Sequence, residues 1–248
     1  MGLSRRALLQ LTGTAAGGLA LSQLPHAPTW AAKPVAAELN RELKVCDPPG
    51  DPLQALLERN RGFSKAWQAM AKEPDPEVRM RLQAGIYKSG CQIDPSALDQ
   101  GQRPWAGLLS CADARVAPEF IFASGSGELF QVRSAGNTAF DEAIASMEYA
   151  VSVLQVPLIL VLGHSSCGAV KAAMGSDPLT PLLEELVKPI RASLVSGDSL
   201  TKAIAGNSRT AAAQLTARSA VLREARSSGK LAIHSAFFEI ATGLVTVV

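Results

Sequence analysis

The chain has 248 residues, of which 47% are hydrophobic and 19% are charged. This composition supplies enough apolar surface for a buried core and excludes a disordered polymer. Lysine and arginine number 24 against 22 aspartate and glutamate residues, so the formal charge is only +2, without a basic run. The sequence therefore predicts a globular protein that does not bind nucleic acid.

The N-terminal segment has the features of an export signal. Arg5 and Arg6 precede an apolar stretch over residues 7–24 that is diluted by glycine, threonine, serine and glutamine. This order is typical of a twin-arginine signal. An uncleaved membrane anchor is less favoured, because a span needs about 20 strongly apolar residues. Residues 1–32 are expected to be removed, which leaves a periplasmic or extracellular protein with no stable membrane span.

The remaining sequence alternates apolar runs with helical patterns. Leucines and aromatic residues at helical spacing predict an amphipathic arm helix over residues 52–71. Three short apolar runs predict strands at residues 105–110, 128–132 and 158–163. Further helices are predicted at residues 141–154, 179–195 and 207–226. Two closing strands are predicted at residues 231–239 and 244–248, joined as a hairpin by a turn at Thr242 and Gly243.

Strands that alternate with helices predict an α/β fold. We expect a mostly parallel sheet flanked by helices, with an antiparallel edge strand and an N-terminal helical arm. The expected organisation is an export signal at residues 1–32, an N-terminal extension with the arm at 33–101, and an α/β core at 102–248. The arm and the core are expected to form one domain.

Two cysteines and a histidine are associated with the predicted strands. Cys111 comes directly after the first strand, His164 directly after the third, and Cys167 three residues later. Because ligands gather at the carboxyl ends of parallel strands, these side chains are expected to converge. Two thiolates and one imidazole suit zinc and leave a fourth tetrahedral position open. A lone buried cysteine is more often a small hydrophobic residue, so the joint pattern carries the prediction.

The same region carries four short motifs. They are Cys-Ala-Asp-Ala-Arg at residues 111–115, Gly-Glu-Leu-Phe-Gln-Val-Arg-Ser-Ala-Gly-Asn at 127–137, Glu-Tyr-Ala-Val at 148–151 and Gly-His-Ser-Ser-Cys-Gly at 163–168. In spacing and order they resemble the β-carbonic anhydrase family, and the resemblance runs from about Gln102 to the end of the chain.

The resemblance implies one zinc ion per chain, bound by Cys111, His164 and Cys167, and the reversible hydration of carbon dioxide to bicarbonate and a proton. Zinc hydroxide would be the nucleophile, because zinc lowers the pKa of bound water to about 7. Asp113 would orient this hydroxide, and Arg115 would keep Asp113 ionised and turned away from the metal. Alternatives are a related hydrolase of carbon disulfide or carbonyl sulfide, and a structural relative that has lost catalysis.

The chain also resembles the plant-type subgroup, whose substrate pocket is partly supplied across a dimer interface. The matching pocket residues are Gln102, Phe130 and Tyr149, although ordinary core packing is an alternative for the two aromatic residues. Members with a regulatory bicarbonate site usually have tryptophan at the position of Leu108, so this chain is expected to be unregulated. A homodimer or higher homo-oligomer is expected, because the arm helix also needs an apolar surface to cover.

Three further features have open interpretations. Ser134 stands where the family commonly has asparagine, which leaves one loop hydrogen bond open but affects no metal ligand. His234 lies on a late strand and is expected to be structural, so that a buffer or a carboxylate would carry the proton. Cys46 and Cys91 either form a disulfide after export or remain unrelated thiols.

Overall fold

The computed structural model describes residues 49–86, 98–99 and 101–248. Its helices are α1 (Pro52–Lys72), α2 (Pro76–Ile86), α3 (Pro118–Ile121), α4 (Asp141–Ser152), α5 (Gly168–Met174), α6 (Pro181–Arg191), α7 (Leu200–Arg218) and α8 (Ala220–Ser227). Its strands are β1 (Ala106–Cys111), β2 (Leu129–Ser134), β3 (Leu158–His164), β4 (Ala232–Glu239) and β5 (Leu244–Val247). The expected export signal, Cys46 and Cys91 lie outside the described residues. Within the described ranges, no helix is long and apolar enough to cross a bilayer.

The strands form one sheet in the order β2-β1-β3-β4-β5. Strands β1 to β4 run parallel, and β5 pairs antiparallel with β4. Both β1 and β3 are buried along their whole length, because helices cover the two faces of the central strands. These observations confirm the predicted α/β fold with a mostly parallel sheet and an antiparallel edge strand.

Three apolar clusters hold the helices on the sheet. Leu108 and Leu109 are adjacent in β1 and point to opposite faces, as in any strand. Leu108 packs in the cluster that includes α1 and α3, whereas Leu109 packs in the cluster that includes α4, α7 and α8. The third cluster contains Cys111 and Cys167 together with residues of α5, α6 and α7. The two cysteines therefore lie in a predominantly apolar environment at the carboxyl ends of the strands.

The arm helix α1 packs on the β4–β5 hairpin of its own chain. It begins after Asp51, whose carboxylate accepts a hydrogen bond from the Gln54 N–H. In its third turn, the buried Asn60 amide donates to the Gly243 carbonyl at 2.9 Å and accepts from the Val245 N–H at 2.7 Å. The arm therefore covers an apolar surface within its own chain, and this surface does not have to come from a neighbour.

An ion pair also connects α1 to the loop before β2. The Arg59 guanidinium donates to both carboxylate oxygens of Glu128 at 3.0 Å. Glu128 is only 2% exposed, and it accepts two further hydrogen bonds, from Trp105 Nε1 and from the Gly125 N–H. A buried carboxylate is tolerated when its oxygens are paired in this way. The pair fixes the arm beside the start of β1.

The largest difference from the predicted boundaries is in the helices before β4. A single helix was predicted over residues 207–226, but α7 begins at Leu200 because the Ser199 hydroxyl accepts from the Lys202 N–H. The chain then breaks at Ser219, whose side chain caps α8. Serine side chains compete with the backbone for hydrogen bonds, and this favours helix starts at both positions.

Candidate metal centre

The ends of two neighbouring strands carry the predicted metal ligands. Cys111 is the last residue of β1 and His164 the last residue of β3. These strands are adjacent and parallel, with Ser110 paired to Leu162, so their carboxyl ends meet at the same edge of the sheet. Cys167 follows as the N-cap residue of α5. The three ligand atoms all lie within 4.8 Å of one another.

The spacing and chemistry of these side chains fit a zinc ion. The sulfur atoms of Cys111 and Cys167 are 4.0 Å apart. Tetrahedral zinc with bonds of about 2.3 Å to each sulfur requires a separation of about 3.8 Å. Cys111, His164 and Cys167 are all buried, as is usual for ligands whose charge is neutralised by a metal.

The hydrogen bonds of His164 leave one ring nitrogen available. Its Nδ1 lies 3.0 Å from the Ser165 carbonyl oxygen, and because a carbonyl only accepts, Nδ1 carries the proton of the neutral ring. Its Nε2 is buried and has no hydrogen-bond partner among the described residues. Such an orphaned buried acceptor is unfavourable unless another group, such as a metal ion, takes its lone pair.

Backbone donors point at both sulfur atoms. The Gly136 N–H lies 3.3 Å from the sulfur of Cys111. The contact with the Cys167 sulfur lowers the pKa of Cys111 to about 4, with burial opposing this shift. The same contact raises the pKa of Cys167, while the N–H groups of Ala169 and Val170 act in the opposite direction. The site therefore already contains hydrogen bonds that stabilise thiolates, the form in which cysteine binds zinc.

Asp113 lies beside the ligands and is held by Arg115. Arg115 donates from Nε to Oδ1 at 2.9 Å and from Nη2 to Oδ2 at 2.7 Å. Arg115 Nη2 also donates to the Ser166 carbonyl at 3.2 Å. These hydrogen bonds from Arg115 hold the pKa of Asp113 well below its usual range. Asp113 is therefore ionised at neutral pH, with its Oδ2 atom 3.8 Å from His164 Nε2.

Arg133 supports the loop that carries these groups. From β2, its guanidinium donates to the carbonyl oxygens of Cys111, Asp113 and Val116 at 3.2, 3.0 and 2.6 Å. Three bonds from one planar side chain fix the path of the backbone between Cys111 and Val116. Arg133 lies within the motif at residues 127–137, and this place in the motif is the only signal of its role in the sequence.

The turn after β2 contains two further contacts, one at Ser134 and one that sequence reasoning missed. The Ser134 hydroxyl accepts from the Thr138 N–H at 3.1 Å, so serine still forms a hydrogen bond within this loop. The carbonyl of Gly136 accepts from the Asn207 amide at 2.8 Å. Asn207 was visible in the sequence only as a polar residue in a helical pattern, and its contact with the turn spans 71 positions of the chain.

The predicted pocket residues lie on elements near the β2 edge of the sheet. Phe130 on β2 is half-buried, and its ring centroid is 6.2 Å from that of Tyr149 on α4. Tyr149 is 46% exposed, and Gln102 is exposed in the segment before β1. The structure therefore brings the two aromatic rings together, while a single chain leaves both Gln102 and Tyr149 open to solvent.

Comparison with known proteins agrees with this site. A family model described as carbonic anhydrase matches residues 106–245. Carbonic anhydrase 2 of Mycobacterium tuberculosis is 37% identical over 187 residues, which cover 72% of this chain and 89% of that protein. The carbonic anhydrase of Mycolicibacterium smegmatis is 36% identical over 189 residues, covering 73% of this chain and 90% of that protein.

A solved structure gives the same result at the level of the fold. The β-carbonic anhydrase of Coccomyxa, determined in complex with acetazolamide, superposes with a TM-score of 0.56 at 27% identity and covers 81% of this chain and 87% of that chain. The chain therefore belongs to the β-carbonic anhydrases, the family of zinc enzymes that reversibly hydrate carbon dioxide to bicarbonate and a proton.

Proposed function

We propose that this chain binds one zinc ion per protomer through Cys111, His164 and Cys167 and hydrates carbon dioxide at that site. One observation carries the proposal: three buried ligand atoms lie within 4.8 Å of one another, and His164 Nε2 has no other partner among the described residues. Zinc, when bound, supplies a nucleophile at neutral pH, because it lowers the pKa of a coordinated water to about 7.

Asp113 would accept a hydrogen bond at Oδ2 from the O–H of the attacking group. This contact leaves a lone pair of the attacking oxygen free to face the carbon of carbon dioxide. Arg115 occupies both oxygens of the carboxylate, so it keeps Asp113 ionised and restrains it from turning onto the ligand cluster. Arg115 thus has a positioning role in this mechanism, whereas Asp113 acts as a catalytic residue.

The pocket is proposed to be of the plant type. The Gln102 amide would hold a bicarbonate oxygen, and Phe130 and Tyr149 would form apolar walls around a small substrate. Leu108, at the position where regulated members have tryptophan, is fully buried in the core and offers no polar group to an anion. This supports an enzyme without the regulatory bicarbonate site.

The product proton is proposed to leave with buffer or by way of a carboxylate. His234 lies on β4, four residues before the residue that pairs with His164. This separation corresponds to about 13 Å along the strand. His234 is therefore too far away to exchange a proton directly with the attacking group.

Export by the twin-arginine route is proposed from the sequence of the leader. The zinc ligands are thiolates that would risk mispairing if the chain crossed a membrane unfolded. Export after folding would let Cys111 and Cys167 bind metal first.

Mass spectrometry of the protein from periplasm and cytoplasm should find the mature chain, shortened by about 32 residues, in the periplasm. Export would be contradicted if the protein were found only in the cytoplasm and every molecule still carried the leader.

The first prediction of the metal proposal concerns Cys167. Cys167→Ala is expected to lose both zinc and hydration activity, because the two remaining ligands cannot hold the ion tightly. Elemental analysis of the purified protein measures this directly. Ser166→Gly is the matched control, since Ser166 is exposed in the same turn at a φ of 57° that glycine readily adopts. Full zinc content in Cys167→Ala would exclude this ligand set.

Asp113→Asn is expected to keep the metal but lower kcat/KM by roughly 100-fold, because the neutral amide no longer accepts the hydrogen bond as a carboxylate does. Stopped-flow carbon dioxide hydration and zinc analysis should be run on the same sample. Asp141→Asn is a suitable control, because Asp141 pairs with Arg218 at an exposed position on α4. An Asp113→Asn variant with the turnover of the wild type would remove Asp113 from the mechanism.

We also propose that the enzyme is at least a dimer, joined near the β2 edge. Tyr149 and Val153 are four residues apart at the end of α4, and they are 46% and 60% exposed. Val153→Asp is therefore expected to weaken association, whereas Val195→Asp, at a position 66% exposed between α6 and α7, is not. Light scattering over a dilution series measures both. A fully active monomeric wild type would contradict assembly at the active site.

A further inference from the structure

A chain of two hydrogen bonds connects α7 to a proposed zinc ligand. The Gly136 N–H donates to the sulfur of Cys111 at 3.3 Å, and the Gly136 carbonyl accepts from Asn207 Nδ2 at 2.8 Å. We propose that Asn207 is a positioning residue: it holds Gly136 in the conformation in which its N–H meets the Cys111 thiolate. This inference rests on the proposed metal site.

The conformation of the turn explains why it needs an external hold. Gly136 and Asn137 both have positive φ, at 76° and 47°. For a residue other than glycine this region is sparsely populated, and it persists only where the surroundings determine it. A Cβ atom at position 136 would lie 2.6 Å from Ile190 Cδ1, so a side chain there would force Ile190 to move. Asn207 binds the carbonyl of Gly136, in the peptide group that leads into the positive φ of Asn137, so it holds the turn where its conformation is least favourable.

The burial of Asn207 among apolar residues also indicates a specific structural role. It is 3% exposed on a helix face whose other buried residues include Ala203, Ile204, Ala211 and Leu215. A buried amide is unfavourable in such surroundings unless it is hydrogen-bonded, and an apolar residue would fill the same space without that cost. The hydrogen-bond partner of its Nδ2 is the backbone of the turn that serves the metal ligand.

The consequence for the metal follows from the chemistry of sulfur. An N–H donor directed at a thiolate stabilises the charge on sulfur and fixes the direction of its lone pairs. Without Asn207, the Gly136 amide would be free to rotate away from Cys111. The Cys111 thiolate would then be a stronger but less oriented electron donor, and the metal would be held less tightly.

Cobalt(II) in place of zinc provides a test that does not depend on activity. Asn207→Leu is expected to move the thiolate-to-cobalt charge-transfer band to lower energy and to release cobalt to a chelator about tenfold faster than the wild type. Asn60→Leu is the matched control, because Asn60 is also a buried asparagine bonded to backbone groups but lies on α1, against the β4–β5 hairpin. It is expected to lower stability without moving the band or the release rate.

The outcomes separate this inference from the proposal that it depends on. A wild-type protein that shows no thiolate-to-cobalt band would refute the metal site itself. A wild-type band that is unchanged in Asn207→Leu, with an unchanged release rate, would overturn the role of Asn207 and leave the metal site standing. Equal shifts in the Asn207 and Asn60 variants would show that the effect comes from general destabilisation. This result would also overturn the proposed role of Asn207. If Asn207→Leu does not fold, Asn207→Ala removes the same donor and is judged by the same criteria.

Discussion

The pairing of β1 with β3 is the constraint on which the rest of this structure depends. Ser110 pairs with Leu162, and continuing this parallel register places Cys111 beside Gly163, one residue before His164. Cys111 and His164, which are 53 positions apart in sequence, thus reach the same edge of the sheet. Gly163 contributes to this arrangement, because a Cβ atom there would lie 2.3 Å from the Ser208 hydroxyl on α7. Because glycine has no Cβ atom, α7 can pack against the ends of the strands.

A pair of thiolates at a buried edge requires compensation, and backbone groups supply part of it. N–H groups of Gly136, Ala169 and Val170 stabilise the charge on the two sulfur atoms. Arg133 fixes the backbone between the first cysteine and Asp113 by donating to three carbonyl oxygens. Because backbone donors on packed loops have little freedom to move, the ligand geometry is largely set before a metal arrives.

Local patterns were enough to predict the sheet, the antiparallel edge and the convergence of the two cysteines with His164. They could not predict contacts that depend on distant packing. Asn207 reaches a turn 71 positions away, and Asn60 reaches Val245 across 185 positions. Neither asparagine lies in a motif, and each resembles an ordinary polar residue of a helix. The start of α7 was missed for a different reason: the helical pattern of its alanine-rich sequence is weak, so the cap at Ser199 decides where it begins.

The two edges of the sheet are covered to different extents, and this difference affects where a second chain could associate. At β5, the side-chain amide of Asn60 donates to Gly243 and accepts from Val245, as the peptide group of a neighbouring strand would do. An exposed strand edge is a site for pairing with another chain, and α1 blocks it there. At the opposite edge, β2 remains only partly covered, and Phe130 and Tyr149 lie there with Tyr149 46% exposed. Since the arm is engaged within its own chain, it supplies no argument for a dimer. The physical case for association rests on the β2 side, where a second chain would cover aromatic surface and enclose the proposed substrate pocket.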